Sequence, residues 1–217
     1  FVQGITRKTG KSGYAGVRFW LQDNQRELPA SMTSGISKAR LDDRVYRGMA
    51  EWKNYGRKYI WHIKSAWFNE TSMYSDPLVD LESPVQYNTL INEATVKRKF
   101  ADHIQVLAGL NDMRYDVNSG GFDGRQDQST IAAFGSLNWT NPKEALNIVL
   151  NVRQEWTAGI NAPFTPSLGA EWKIAKYFRI KGHLSRNFKI PTLNERFWNP
   201  GGNPDLLPES GWSEEIG

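Results

Sequence analysis

The side chains that could do acid–base or nucleophilic chemistry are few and scattered in this chain. The three histidines are His62, His103 and His183, and no serine lies in the Gly-x-Ser-x-Gly context of a nucleophile elbow. The sequence contains no cysteine, which excludes structural cysteine–zinc sites, iron–sulfur clusters and disulfides. We therefore predict no catalytic residue and no cofactor, and we do not expect an enzyme.

Metal and anion sites have weak signals. Asp116, Asp123 and Asp127 fall in and beside one connecting segment and are candidate calcium ligands, but an EF-hand pattern is absent, so we interpret them as solvated acids and predict no metal. The glycine pairs 120–121 and 201–202 precede no helix that would cradle a phosphate. The formal net charge of +4 is small and the basic residues are scattered, which argues against a nucleic-acid partner.

Aromatic residues are the more informative group, with nine Trp, eight Tyr and ten Phe. Those in or beside long connecting segments can stack on a sugar ring or a catecholate, and as a group they form our hypothesis for substrate contacts. For any single residue, packing of one loop against another is the alternative. The candidates are Tyr74, Tyr87, Phe122, Phe164, Phe197 and Trp198.

The elements that must position these residues read as β-strands. Apolar residues recur with a period of two, most clearly where Leu146, Ile148 and Leu150 alternate with Asn147 and Asn151. No apolar stretch approaches the ~18 residues of a transmembrane helix. We count nine strands, with a tenth beginning near Trp212. The nine lie around residues 13–21, 46–52, 59–63, 93–100, 104–110, 131–139, 146–156, 166–174 and 178–184.

The connections between these strands alternate in length. Short links are predicted at residues 54–57, 101–103, 140–143 and 175–176, and long ones at 22–42, 71–91, 118–126, 157–163 and 191–210. Antiparallel neighbours joined in this way have all short turns at one end of the sheet and all long loops at the other. This asymmetry is typical of an all-β, up-and-down transmembrane β-barrel, with short periplasmic turns and long extracellular loops.

A set of aromatic residues on the apolar faces lies close to the short turns. Amphipathic rings are stable where hydrocarbon meets headgroups, so we interpret the set as a membrane girdle, with the core of a soluble β-protein as the alternative. The residues are Trp52, Tyr59, Trp61, Trp139, Trp172 and Phe178.

Two motifs near the end of the chain indicate a family. Residues 185–195 read Ser-Arg-Asn-Phe-Lys-Ile-Pro-Thr-Leu-Asn-Glu, and residues 203–209 read Asn-Pro-Asp-Leu-Leu-Pro-Glu, before the acidic pair Glu214-Glu215. This stretch resembles the late-barrel signature of TonB-dependent outer-membrane receptors. A weaker likeness at residues 26–29 and 38–43 is to receptors of this family from Bacteroidetes-like bacteria. The residues that carry the main resemblance are Ser185, Arg186, Phe188, Pro191, Leu193, Glu195, Asn203, Pro204, Leu206, Pro208 and Glu209.

The resemblance implies a plugged barrel of about 22 strands in the bacterial outer membrane. Residues 1–217 are then part of the β-barrel domain, and we expect the plug domain and the C-terminal closing strands to lie outside this sequence. The implied function is active uptake of a scarce nutrient, such as a ferric siderophore, cobalamin or an oligosaccharide. The implied partners are that ligand, the plug, the TonB complex and the lipid bilayer. Two open sheet edges would make the isolated segment prone to self-association.

Three alternatives remain open on the sequence. In the haem-type receptors of the family that this chain resembles, the two motifs usually flank a loop histidine that ligates iron. Residues 192–202 contain no histidine, so haem uptake is disfavoured. A soluble extracellular glycan-binding module would place Leu146, Ile148, Leu150 and Leu168 inside a core, whereas a barrel would place them outside. An outer-membrane barrel enzyme would require a catalytic triad.

Overall fold

The computed structural model describes residues 1–30 and 36–217. Within these residues eleven antiparallel strands form one sheet in chain order, so each strand is hydrogen-bonded to the next. Its elements are β1 (Val2–Thr9), β2 (Gly13–Glu27), β3 (Arg40–Tyr55), β4 (Tyr59–Asp76), β5 (Leu81–Ala101), β6 (Ile104–Ser119), β7 (Gln126–Thr140), β8 (Leu146–Thr157), β9 (Thr165–Ala175), β10 (Phe178–Lys189), α1 (Leu193–Phe197) and β11 (Glu209–Ile216).

The predicted fold class is confirmed, and the strands alternate in direction as in an up-and-down barrel wall. At one end of the sheet the connections are short, spanning residues 10–12, 56–58, 102–103, 141–145 and 176–177. Local polar contacts form these turns. In the β7–β8 turn, for example, the Asn141 side chain accepts hydrogen bonds from the amides of Ala145 and Leu146 at 2.7 and 3.0 Å.

Two strand assignments from the sequence were incomplete. On the face of β1 that continues the apolar face of β2, Ile5 lies between the polar residues Gln3 and Arg7. With one apolar residue on that face the alternation is too weak to recognise, so β1 was not predicted from the sequence. The long loop predicted at residues 71–91 was wrong, because β4 and β5 continue as a paired hairpin and are joined at residues 77–80. In this hairpin both faces are largely polar, so the period of two that reveals a strand is lost although the backbone pairing continues.

The other long connections lie at the opposite end of the sheet from the short turns, at residues 120–125, 158–164 and 190–208. The first predicted loop is shorter than expected, because β2 runs to Glu27 and β3 begins at Arg40. Its residues 31–35 fall outside the described part of the chain.

The register gives the sheet an apolar face and a polar face. On the apolar face Leu150 pairs with both Leu137 and Leu168, and Leu168 pairs with Leu184. Many large apolar side chains of this face are exposed, and no second layer covers them within the described residues. They include Val17, Phe19, Trp61, Ile63, Trp67, Leu110, Ile131, Leu137, Leu150, Trp156, Leu168, Trp172, Ile180 and Leu184. A soluble sandwich would bury this set, so the exposed face favours a lipid-facing wall.

The height of the apolar face matches a bilayer. At about 3.3 Å per residue, the stretch from Leu146 to Trp156 measures about 33 Å along β8, or about 25 Å along the barrel axis for a tilt of about 40°. No helix among the described residues is both long and apolar enough to cross a membrane.

A row of hydrogen-bonded polar side chains, Ser65, Asn92, Asp112 and Arg114, interrupts the apolar face. The Ser65 hydroxyl donates to Asn92 at 2.7 Å, the Asn92 amide donates to Asp112 at 3.1 Å, and Arg114 donates to Asp112 at 3.4 Å. These mutual hydrogen bonds lower the cost of placing polar groups beside hydrocarbon.

An added charge in β8 should destabilise the protein on the apolar face and have little effect on the polar face. Leu150→Arg in the complete protein should lower its free energy of unfolding in lipid vesicles by about 2–4 kcal/mol, because Leu150 lies near the middle of the apolar band. Asn151→Arg, on the polar face, is the matched control and should leave it nearly unchanged. Urea titration of the folded, heat-modifiable form on gels measures both. Equal losses for the two variants would contradict the assignment of the faces.

Candidate functional site

The longest connection at the loop end, residues 190–208 between β10 and β11, is held in a defined shape. Its helix α1 begins with a capping box. The Thr192 hydroxyl accepts from the Glu195 amide at 3.2 Å, and the Glu195 carboxylate accepts from the Thr192 amide at 2.7 Å. The Thr192 hydroxyl also donates to the Glu195 carboxylate, at 2.9 Å. The two hydrogen bonds that the carboxylate accepts from Thr192, assisted by the charge of Lys189, hold the pKa of Glu195 below its ordinary value. The cap is therefore ionised at neutral pH, and its contribution is lost only as the pH falls through that lowered pKa.

This connection reaches back across the polar face to the β6–β7 connection. Trp198 stands edge-on to Phe122, with ring centroids 6.4 Å apart, and Asn199 donates from its side chain to Asp123 at 3.0 Å. The Asn199 amide donates to the Gly121 carbonyl at 2.7 Å. We call these contacts among residues 121–123, 198 and 199 the loop clasp.

The loop clasp spans part of the polar face. β6 and β10 are four strand spacings apart, or about 19 Å at about 4.8 Å per spacing. The connection that leaves β10 therefore crosses the polar face for about that distance before it touches the end of β6. In an up-and-down barrel the apolar face meets lipid and the polar face is the concave inner side, so the loop clasp lies on the inside of the wall.

A covered cleft of about 480 Å³ lies between the polar face and this connection. Its floor comes from four adjacent strands, β4 to β7, and its roof from residues 190–194. The side chains of the floor are Glu70, Tyr87, Thr89, Tyr115, Val117 and Gln128, and Phe122 closes one end.

The charge that lines the covered cleft belongs to one member of an ion pair. Glu70 is its one acidic or basic lining residue within the described part of the chain. The Glu70 carboxylate accepts two hydrogen bonds from Arg47, at 2.9 and 2.6 Å. The Arg47 guanidinium in turn lies 5.7 Å from the ring centroid of Trp20 and 5.8 Å from that of Phe68. The arrangement is an ion pair, about one third exposed, whose guanidinium lies beside two aromatic rings.

Of the six aromatic residues predicted to contact substrate, the structure brings three together. Tyr87 and Phe122 line the covered cleft, and Trp198 packs on Phe122. Tyr74, Phe164 and Phe197 do not line it. Tyr74 and Tyr87 lie on β4 and β5 rather than in a loop, as the corrected hairpin requires.

Sequence reasoning missed Glu70 and Tyr115 as cleft residues. Tyr115 lies on β6 between Met113 and Val117, on the same face as Asn111. Met113, Tyr115 and Val117 form an apolar run on an otherwise polar face, and this run could have indicated a binding surface from the sequence. Tyr115 and Glu70 come to line the same cleft only through strand pairing, which the sequence did not specify for the extended hairpin.

The family-motif residues build the loop and its supports. Ser185 is buried in β10, Pro191 and Leu193 line the roof of the covered cleft, and Glu195 caps α1. The Asn203 amide donates to the Glu195 carbonyl at 3.0 Å, which ties the two motifs together. Arg186 and Phe188 pair with Trp212 and Ser210 of β11, Glu209 pairs with Lys189, and Pro204, Leu206 and Pro208 lie in the connection between the motifs.

The predicted girdle residues Trp52, Tyr59, Trp61, Trp139, Trp172 and Phe178 lie on strands close to the short turns. The register places Trp52 opposite Ile63, Trp61 opposite Val96, and Trp172 opposite Ile180, all on the apolar face. Arg98 donates to the Tyr59 hydroxyl at 2.7 Å at the same end. Their role at a membrane interface stays a prediction.

The histidines His62 and His183 lie far apart in the sheet, on β4 and β10. His62 is 3.3 Å from Glu51, and His183 borders a second hollow on the polar face of about 300 Å³, near Lys181 and Glu215.

Of the three aspartates considered for calcium, Asp116 and Asp127 pair across β6 and β7, whereas Asp123 lies in the connection between these strands. Asp116 binds Arg125 at 2.6 Å and Asp123 accepts from Asn199. No cluster of three potential metal-ligating side chains occurs in residues 1–30 and 36–217.

The loop clasp depends on a position without a side chain. A Cβ at Gly121 would lie 2.5 Å from the Trp198 ring, whereas a Cβ at Gly120 would meet its nearest atom, in Pro84, at 3.5 Å. Gly121→Ala should therefore open the clasp and speed hydrogen exchange of residues 194–203 in the complete protein by about three- to tenfold, the value of one aromatic pair. Gly120→Ala should leave the exchange unchanged. Equal exchange in both variants would show that Trp198 does not hold the loop.

Comparisons with known proteins agree with this architecture. A family model described as TonB dependent receptor-like, beta-barrel matches residues 7–217. Comparison with curated protein sequences gives no match. Among solved structures, the siderophore receptor PirA from Pseudomonas aeruginosa superposes with a TM-score of 0.74 and 13% identity, over 99% of this chain and 42% of that chain.

Two further structures superpose over a similar share of their length. The siderophore receptor PirA from Acinetobacter baumannii gives a TM-score of 0.73 and 13% identity, over 100% of this chain and 40% of that one. BauA, the ferric preacinetobactin receptor from Acinetobacter baumannii, gives 0.65 and 9%, over 99% and 43%. The chain thus spans about two fifths of the length of these receptors, and at this identity the likeness is one of fold. Because the family model matches almost the whole sequence, the chain belongs to the TonB-dependent receptors, as part of their β-barrel, and the protein resides in the outer membrane.

Proposed function

We propose that the complete protein is an outer-membrane receptor that takes up a scarce nutrient, most directly a ferric siderophore, with energy supplied through the TonB system. The observation that carries this proposal is the covered cleft on the concave face, at the end of the wall where the long connections lie. A preformed cleft at this end would receive a ligand from outside the cell and hold it on the channel side. Family membership and the named ligands of the superposed receptors support the choice of cargo.

The other parts of such a receptor belong to the same proposal. The plug domain and the closing strands would come from the rest of the protein, since the chain spans 42% of the length of the first superposed receptor. Cobalamin or an oligosaccharide is the alternative cargo. A soluble glycan-binding module is disfavoured because it would need a layer over the apolar face, and the described residues provide none.

The substrate contacts remain proposals of unequal strength. Tyr87 and Phe122 are the stronger pair because they line the covered cleft, and Trp198 would act on ligand through the position of the loop. Tyr74, Phe164 and Phe197 would contact only a ligand large enough to extend beyond the cleft.

Uptake in whole cells tests the proposed function. A strain that lacks its own siderophore receptors would carry the complete gene, and accumulation of iron-55 would be measured with a panel of ferric siderophores. We expect at least one complex to accumulate in a receptor-dependent way, and accumulation to fall to background in a tonB deletion because the energy source is lost. Surface binding at 0 °C should persist in that deletion strain. Uptake that is equal with and without TonB would contradict the proposal.

A further inference from the structure

The covered cleft has a chemical character that bears on the kind of group it receives. Its floor presents the rings of Tyr87 and Tyr115, and its far end presents Phe122. Ring faces of this kind favour a flat or apolar partner through stacking and edge contacts. The cleft volume of about 480 Å³ is sufficient for a ring with substituents but small for an entire large metal complex.

The polar groups of the cleft are donors and acceptors rather than free charges. Within the described residues, the Tyr115 hydroxyl has one partner, the weakly accepting Met113 sulfur at 3.9 Å, so the hydroxyl oxygen can accept a hydrogen bond from a ligand. Thr89, Gln128 and Asn194 add neutral hydrogen-bonding groups. Glu70 lines the cleft whereas its partner Arg47 does not, so the ion pair presents its negative end to an incoming anion.

We propose that the covered cleft binds an uncharged, ring-bearing part of the cargo and discriminates against an anionic ring of the same shape. This inference rests on the proposed function, because it assumes that cargo reaches the concave face. The Arg47–Glu70 pair sets the discrimination: the carboxylate excludes the anion, and the guanidinium is held away from it by its hydrogen bonds and by Trp20 and Phe68.

The test uses two probes of equal size that differ in charge, benzamide and benzoate. Their dissociation constants for the complete receptor in detergent would be measured by saturation-transfer NMR titration. We expect benzamide to bind about tenfold more tightly than benzoate, because the anion meets the Glu70 carboxylate at short range. Tyr87→Ala should weaken benzamide binding by about three- to tenfold, the contribution of one aromatic contact. Tyr177→Ala, which removes an exposed ring in the short β9–β10 turn, far from the cleft, should not change it.

Removal of the Glu70 charge tests the origin of the discrimination more directly. Glu70→Gln removes the carboxylate and leaves Arg47 positively charged, so benzoate should gain affinity and the preference for benzamide should disappear. Glu93→Gln is the matched control, since Glu93 is also a polar-face carboxylate in an ion pair, with Lys64 at 2.9 Å. It should leave the preference unchanged.

Three results would overturn the inference. Benzoate could bind as tightly as benzamide in the unaltered receptor, or the two glutamine variants could behave alike. If neither probe bound at all, the cleft would be filled by another part of the protein. Probe binding needs no TonB energy, so the two experiments can fail separately. If the probes fail to bind as expected but uptake depends on TonB, the proposed function stands and the inference about the cleft is wrong. If uptake fails but the probes bind as expected, the proposed function is wrong and the charge preference of the cleft stands.

Discussion

A backbone that crosses hydrocarbon has no water with which to form hydrogen bonds, so every N–H and C=O group must find a partner within the protein. In this chain the antiparallel ladder supplies those partners, strand by strand in chain order from β1 to β11. The period of two follows from the same ladder, since a paired strand must send alternate side chains to opposite faces. The apolar face, the polar face and the separation of short turns from long loops all depend on this pairing.

The candidate site is a consequence of the curved wall. A sheet that bends around a channel brings the ends of distant strands closer over its concave side, and the β10–β11 connection uses that shortcut to reach the β6–β7 connection. Gly121 lets the Trp198 ring approach the backbone, and the capping box at Thr192 and Glu195 fixes the start of α1 beside the cleft. The family-motif residues thus have a physical role here, since they shape the roof of the cleft.

The sequence predicted the fold wherever the two faces differ in polarity. Strands such as β8 and β9 were located because Leu150 and Leu168 alternate with polar neighbours, and the motif at residues 185–195 identified the family. The β4–β5 hairpin was not predicted, because beyond the bilayer both of its faces meet water and the alternation disappears. The cleft was predicted only through Tyr87, Phe122 and Trp198. Its remaining residues, such as Glu70 and Tyr115, come together through strand register and loop packing, which leave no local signal in the sequence.

The central claim is that one face of this sheet meets lipid while the other lines the inside of the wall. Nitroxide labels placed one at a time along residues 146–156 of β8, in the complete receptor reconstituted in bilayers, measure this directly through collision with oxygen or with a water-soluble nickel chelate. The account predicts an alternation, with Leu146, Ile148, Leu150 and Val152 accessible to oxygen and Asn147, Val149 and Asn151 shielded from it. Equal oxygen accessibility at both sets of positions, or nickel accessibility at the first set, would contradict it.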